Sequence, residues 1–207
     1  MAAPAGRERA GNGHLGRDKL VAAAADLADR EGWLNLNLSR VAKEVDRHVT
    51  SLYSYVDGLE GLRREVTLLA LEELGQQLWQ AALGRSGPDA LVAVATVYRD
   101  YARSHPGRTE ALTTFQDHDD QEIRSRAQHL GEPVNAVLRS LGLDESQVVH
   151  AHRVFFSALR GFTITETSAG FRLAESVDDT FDQMMALFIE ALTVGAWPQL
   201  QATAASA

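Results

Sequence analysis

Apolar residues recur at helical spacing along nearly the whole chain, and this pattern restricts the fold more than any other feature of the sequence. The first run has the i, i+3, i+4, i+7 spacing of one helix face and consists of Leu20, Val21, Ala24, Leu27 and Ala28. Glycine, proline and aspartate interrupt the pattern, and no stretch of useful length alternates apolar and polar residues as a strand would. The sequence therefore predicts an all-α fold of about nine helices.

The interruptions give the bounds of the predicted helices. They cover residues 18–31, 38–45, 49–56, 59–83, 89–104, 106–116, 119–141, 145–168 and 177–195. Gly32 is expected to cap the first helix, and Asn37 is expected to cap the second. At about 1.5 Å per residue, the fourth helix would span about 39 Å and would join the front of the chain to its body.

Charge is distributed unevenly along the 207 residues, whose formal net charge is −8. Residues 1–64 hold ten Lys/Arg and nine Asp/Glu, whereas residues 65–207 hold ten and nineteen. A near-neutral front joined to an acidic body predicts two modules. Only the front could accept a phosphate backbone, and only if its basic residues share one face.

The chain has no cysteine, which excludes disulfides, thiolate metal sites and cysteine nucleophiles. No apolar run approaches the roughly 18 residues that span a bilayer. The N-terminal residues also lack the apolar core of a signal peptide. We therefore expect a cytoplasmic protein without membrane contact.

Residues 37–62, NLSRVAKEVDRHVTSLYSYVDGLEGL, contain two short predicted helices joined by a break at residues 46–48, which is the pattern of a helix-turn-helix. The apolar positions that should face inward are Leu38, Val41, Ala42, Val45, Leu52 and Val56. The polar side chains of the second helix, with both tyrosines, would then point outward. There Arg47 could donate two hydrogen bonds to a guanine edge, and Tyr53 and Tyr55 could reach backbone phosphates.

These residues also carry a resemblance. Gly32-Trp33, Val41-Ala42 and Leu52-Tyr53 match the pattern of the DNA-binding domain of the TetR family of bacterial transcriptional regulators, which residues 18–62 resemble. Two positions depart from that pattern. Asp46 stands where glycine is usual in the turn, and Leu59 stands where a phosphate-binding lysine is common, a loss for which Arg63 or Arg64 could compensate.

The rest of the chain resembles one branch of that family, the regulators with a WHG-type C-terminal domain. The matching segments are residues 55–59, 105–108, 159–162 and 170–171, although the tryptophan and histidine of the WHG motif are not matched at Arg160-Gly161. With these segments the resemblance extends to about residue 195. The predicted domains are a flexible arm (1–16), rich in Gly, Ala and Arg without periodicity, a helix-turn-helix domain (17–62), a helical effector-binding and dimerisation body (63–197) and a flexible tail (198–207).

The resemblance implies a homodimer that binds a double-stranded DNA operator and releases it when a small effector binds. The predicted DNA contacts are Asn37, Ser39, Arg40, Arg47, His48, Val49, Thr50, Ser51, Tyr53 and Tyr55. The resemblance places the effector pocket inside residues 85–170 and the dimer contact in the last two helices.

Two helices of the body have apolar faces too broad for one stripe, which predicts burial on more than one side. The residues expected at the dimer interface are Val154, Leu159, Phe181, Met184, Met185, Phe188 and Leu192. A single well-filled core is the alternative interpretation of the same faces.

Aromatic and polar side chains of the body could line the effector pocket. The candidates are Trp79, Tyr98, Tyr101, Phe115, His129, His152, Phe155, Phe156, Phe162 and Glu166. Because the body is acidic, we expect an apolar effector that is not polyanionic.

Other classes of function have weaker signals. His118 and Glu122 share a helical spacing, but no third ligand completes a metal site, so we expect no metal and no cofactor. No nucleophile elbow, di-iron motif or phosphate loop is present, so we expect no catalytic residue and no enzyme. The more serious alternative is a helical protein-interaction module with a vestigial helix-turn-helix, which specific binding to promoter DNA would exclude.

Overall fold

The computed structural model describes residues 16–114 and 119–193. Its helices are α1 (Arg17–Glu31), α2 (Leu38–Glu44), α3 (Val49–Leu52), α4 (Gly58–Ala82), α5 (Gly87–Ser104), α6 (Pro106–Thr114), α7 (Gln121–Ser140), α8 (Glu145–Thr167) and α9 (Val177–Thr193). These nine helices, with one short 3-10 turn and no strand in the described residues, confirm the predicted all-α fold. The predicted tail, Phe115 and all of the predicted arm except Gly16 lie outside the described residues.

Capping residues set the ends of several helices as the sequence predicts. Gly32 adopts a φ of 92°, and its N–H donates to the carbonyl of Ala28 at the end of α1. The Asn37 side chain accepts a hydrogen bond of 3.0 Å from the N–H of Arg40 at the start of α2. Asp120 does the same for α7, where its Oδ1 accepts from the N–H groups of Glu122 and Ile123.

Helix α3 is shorter than predicted, because it ends at Leu52 and not at Val56. The Ser51 and Ser54 hydroxyls donate to the carbonyls of residues 48 and 51, each over 2.7 Å. Such local bonds compete with regular helical hydrogen bonds. The chain continues to Val56 as a tightened turn, in which the N–H of Tyr55 donates to the Leu52 carbonyl over 2.9 Å.

Two large apolar cores and one small cluster, Leu68, Leu71 and Ile123, lie along α4. The first core, formed mainly by α1, α2 and α3, includes Leu62 and Val66 at the beginning of α4. The second core, formed mainly by α5, α7, α8 and α9, includes Leu74 and Leu78 nearer its end. We call residues 17–62 the head and residues 63–193 the body. Since α4 contributes buried side chains to both cores, it connects the head to the body.

Candidate nucleic-acid interface

The turn between α2 and α3 depends on Asp46. Its φ of 51° lies in the left-handed region, which aspartate tolerates better than most residues other than glycine. After this reversal the N–H of Arg47 donates to the Ala42 carbonyl over 2.9 Å. The predicted turn therefore forms without its usual glycine and sets α3 beside α2.

Leu52 fixes the orientation of α3. It is fully buried, like Val41 of α2, in the core of the head. On the other side, His48, Thr50 and Tyr53 are exposed, Tyr53 by 60%. The short side chain of Thr50 lies between the longer polar side chains of His48 and Tyr53, so this side of α3 can approach the major groove closely.

Tyr55 does not point fully outward, contrary to the sequence analysis. Val49 and Tyr55 are half-buried and pack against the core of the head. Ser51 is also half-buried, and its hydroxyl is already bonded to the chain. Only the exposed parts of these side chains can meet DNA, so Tyr53 is the tyrosine better placed to contact a phosphate.

The three predicted contacts of α2 differ in availability. Ser39 is exposed, whereas the Asn37 amide caps the helix and donates to the Asn35 carbonyl over 3.1 Å. Arg40 is exposed but forms an ion pair with Glu31 of α1. Arg47 is half-buried, and one of its N–H groups donates to the Asp46 carbonyl over 3.1 Å. Both arginines would have to exchange these partners to bind DNA.

Lys43, which the sequence analysis did not select, also faces solvent on α2. Within the described part of the chain it forms no ion pair, in contrast to Arg30 and Arg40 of the head. It lies beside Arg40 along a shallow cleft between α1 and α2. Because Lys43 is exposed and has no ion pair among the described residues, it is a candidate phosphate contact. The structure is needed to identify it, since the sequence alone does not show which basic residues are paired.

Arg64 cannot replace the missing phosphate-binding lysine in the way the sequence analysis expected. It donates to Asp120 over 2.5 Å and to Glu122 over 2.8 Å, and both residues belong to the start of α7. These bonds raise the pKa of the guanidinium and lower the pKa of the Asp120 carboxyl. Arg63 pairs with Glu60 and lies over the Trp33 ring. Arg64 therefore holds the start of α4 against α7 within the body. Arg63 joins α4 to the head at Trp33.

A second joint connects α6 of the body to α1 of the head. The buried Arg108 donates its backbone N–H to Asp29 over 2.8 Å and its guanidinium to Asp26 over 2.6 Å. His105 Nδ1 lies 3.0 Å from the same Asp29 carboxylate. Residues 105–108 stand out in the sequence only through the family resemblance, because no local spacing signals that Arg108 binds residues 79 and 82 positions away.

The predicted effector residues do not share a single cavity among the described residues. Tyr98, Tyr101 and Phe155 are at most 3% exposed in the core of the body, where Phe156 and Phe162 also pack. Trp79 and His129 stack at 5.3 Å and line a cavity of about 300 Å³ between α4 and α7. His152 lines another cavity, of about 590 Å³, between α7 and α8. The pocket assignment therefore stays a prediction.

Glu166 is already satisfied within the protein. Arg99 and Arg103 each donate to its Oε1 over 2.6 Å. Burial alone would raise the pKa of Glu166, but these hydrogen bonds outweigh it and hold the pKa below its usual value. The carboxylate therefore holds α5 against α8, which makes it a poor partner for a ligand.

Four of the seven predicted dimer residues face the protein's own core. These four residues, which are between 0 and 6% exposed, are Leu159, Phe181, Met185 and Leu192. Because they are buried within one subunit, their assignment to the dimer interface is corrected. Met184 and Phe188 are half-buried against the same core. The outer faces of α8 and α9 instead carry Val154, 48% exposed, and Leu187, 69% exposed.

Within residues 16–114 and 119–193, no group of three or more His, Asp or Glu side chains could hold a metal ion. None of the described helices is both long and apolar enough to cross a membrane. His118, which shares a helical spacing with Glu122, lies outside the described residues.

The apolar sides of α2 and α3 are buried in the head, and the polar side of α3 is exposed. Such a helix-turn-helix, connected by a long helix to a helical body, defines the class of helix-turn-helix DNA-binding regulators. Sequence comparison matches residues 91–188 to the family described as "Tetracyclin repressor-like, C-terminal domain". The chain is also 38% identical over 170 residues to Rv0681, an uncharacterized HTH-type transcriptional regulator of Mycobacterium tuberculosis, and the match covers 78% of each chain.

Two solved structures share the fold. One is BioQ with its natural double-stranded DNA operator, at a TM-score of 0.63 and 22% identity, with 87% of this chain and 99% of that chain covered. The other is ActR of Streptomyces coelicolor in complex with (S)-DNPA, at a TM-score of 0.65 and 17% identity, with 87% and 98% covered.

The chain belongs to the TetR family of transcriptional regulators, as its sequence predicts. It is therefore a DNA-binding regulator, in a family of transcriptional regulators. This membership removes the support for an interaction module with a vestigial helix-turn-helix. The assignment to the WHG-type branch stays a prediction.

Proposed function

We propose that this protein is a homodimeric repressor that binds an inverted-repeat operator and releases it when a small apolar molecule binds to the body. The observation that carries the proposal is the orientation of α3. Leu52 is fully buried while His48, Thr50 and Tyr53 are exposed, so one polar face is held outward on a rigid support. Such a repressor would act in the bacterial cytoplasm, as the sequence predicts.

On the DNA, α3 would enter the major groove with Thr50 nearest the bases. Arg47 would leave the Asp46 carbonyl and donate to a guanine edge, since a guanidinium matches the two acceptors there. Tyr53 would donate to a phosphate, and Lys43 would add a second phosphate contact on the side of α2. The remaining predicted contacts, at α2 and on the half-buried side of α3, complete the proposed interface.

The dimer would form through the outer faces of α8 and α9, where Val154 and Leu187 are exposed. A two-fold axis there would present the two α3 helices to one side of the DNA. Their separation must equal one helical turn of DNA, about 34–36 Å, or a multiple of it. The operator is therefore expected to be an inverted repeat.

The effector would act through α4 and through the joint between α6 and α1. Both elements contact the head and the body, so a ligand that prefers one arrangement of the body shifts the head with it. The structure of ActR with (S)-DNPA, a relative in fold, supports a small molecule as the effector. A coupling of about 1–3 kcal/mol would change operator affinity by about 5–150-fold.

The test is retention of fragmented genomic DNA of the source organism on the immobilised full-length protein, followed by sequencing. We expect enrichment of a few fragments that share one inverted repeat, including the region upstream of the protein's own gene. Thr50→Asp, which places a negative charge on the exposed face of α3, is expected to abolish the enrichment. Retention without a shared sequence, or unchanged enrichment with Thr50→Asp, would refute the proposed use of α3.

A further inference from the structure

A cavity of about 480 Å³ lies where the head meets the body, apart from the aromatic core in which the effector pocket was predicted. Residues of three elements line it: Ala28 of α1, Thr109 and Glu110 of α6, and Ile164 and Thr167 of α8. Its volume falls within the range of small-molecule sites, about 300–1,000 Å³. A molecule held there would contact both the head and the body.

Thr109, one of the residues that line this cavity, has a hydroxyl group without a hydrogen-bond partner among the described residues. The residue is 6% exposed, and its Oγ1 is buried. The neighbouring Thr113 and Thr114 each donate to the Glu110 carbonyl over 2.8 Å. Since buried hydroxyl groups are normally paired, the Thr109 hydroxyl is suited to a partner that enters the cavity.

The charge of the cavity favours a cation. Asp29 and Glu110 line it, and among the described residues that line it there is no Lys, Arg or His. Arg108 already neutralises Asp29, whose carboxylate also lies 3.0 Å from His105 Nδ1. The half-buried Glu110, by contrast, has no ion pair within the described parts of the chain. Ala28, Pro106 and Ile164 supply apolar wall beside this carboxylate.

We propose that this cavity binds a small amphiphilic cation, an ammonium group on an apolar body, with Glu110 as its counter-charge and Thr109 as its hydrogen-bond acceptor. The apolar body would lie against Ile164. A single molecule would then bridge α1 of the head and α6 of the body. Its effect on DNA binding rests on the function proposed above, whereas the binding itself does not.

Binding is tested by NMR on full-length protein with ¹³C-labelled isoleucine methyl groups. The chain has three isoleucines, Ile123, Ile164 and Ile189, and of these Ile164 lines the cavity. The probes are 2-phenylethylammonium, the neutral 2-phenylethanol and the anionic 3-phenylpropionate. We expect saturable shifts at Ile164, strongest affinity for the ammonium and weakest for the carboxylate. Shifts spread equally over the three methyl groups, or no preference for the cation, would overturn the proposal.

Two variants separate the roles of the polar groups. Glu110→Gln should weaken the ammonium about tenfold and leave 2-phenylethanol unchanged, because it removes the charge and keeps the shape. Thr109→Val should weaken the ammonium about fivefold. Glu175→Gln, an exposed change outside this cavity, is the matched control. Undisturbed Ile123 and Ile189 signals report that each variant is folded, and full affinity in Glu110→Gln would overturn the proposal.

The effect on DNA is measured by fluorescence anisotropy on the fragment selected by the genomic experiment. We expect 2-phenylethylammonium to change operator affinity at least fivefold in the wild type and not in Glu110→Gln. Binding at Ile164 with no change in operator affinity would refute the regulatory role of the cavity. A failure to select any operator would instead count against the proposed function.

Discussion

A β-carbon placed on Gly107 would lie closer than 3.0 Å to the carbonyl carbon and oxygen of Ala28. The α6 helix of the body therefore touches the backbone of α1 in the head, at the point where Arg108 binds Asp26 and Asp29. Backbone atoms cannot yield as a flexible side chain can. The close approach and the ion pairs together make this joint a fixed contact between the two units.

We expect Gly107→Ala to lower the free energy of unfolding by about 1–3 kcal/mol, because the added methyl group must push α6 away from α1. The measurement is urea unfolding followed by circular dichroism. Gly75→Ala is the matched control, since a β-carbon there meets nothing within 4 Å and alanine favours the helix by about 1 kcal/mol. Equal stability of the two variants would contradict the tight contact.

The helical bounds could be predicted from the sequence wherever a long run of apolar spacing meets a capping residue, as at Gly32 and Asn37. Helix α3 was predicted too long because periodicity does not register the serine hydroxyls that bond to the chain at residues 48 and 51. The left-handed turn at Asp46 followed from residue chemistry and the helix-turn-helix pattern.

The partners of side chains were harder to predict. Periodicity identifies an apolar face but not what covers it, so Leu159 and Met185 were assigned to a dimer partner although they pack in the protein's own core. Arg64 was expected to be available for a phosphate, yet it binds Asp120, 56 positions away. Contacts at such separation leave no local signal in one sequence.

Arg47→Ala is expected to weaken operator binding by about 1–3 kcal/mol and to relax the base preference at one position of each half-site, because it removes a bidentate base contact. Tyr53→Phe should weaken all DNA sequences about equally, since a phosphate has no base identity. Anisotropy with the selected operator and single-base variants measures both effects. If Arg47→Ala changed neither affinity nor preference, the proposed docking of α3 would be wrong.

The Glu166 carboxylate should make stability depend on acidity. Its pKa is lowered in the folded protein by Arg99 and Arg103, relative to an ordinary value of 4.5. The stabilisation is therefore present above about pH 4.5 and lost as the pH falls through the lower folded pKa. Thermal unfolding between pH 3 and pH 7 should show a smaller loss on acidification for Glu166→Gln than for the wild type. Glu175→Gln, an exposed control, should retain the wild-type slope.

Leu187 offers the sharpest test of assembly. It is 69% exposed on α9, so Leu187→Asp costs little in an isolated subunit but would bury an unpaired charge in a dimer that uses this face. We expect folded monomers by light scattering at micromolar concentration, with unchanged helical content.

Leu173→Asp, at an 83% exposed position outside the helices, should remain dimeric. Leu192→Asp should unfold the protein instead, because Leu192 is 6% exposed in the core. A wild-type monomer, or a Leu187→Asp dimer, would contradict an interface on the outer faces of α8 and α9.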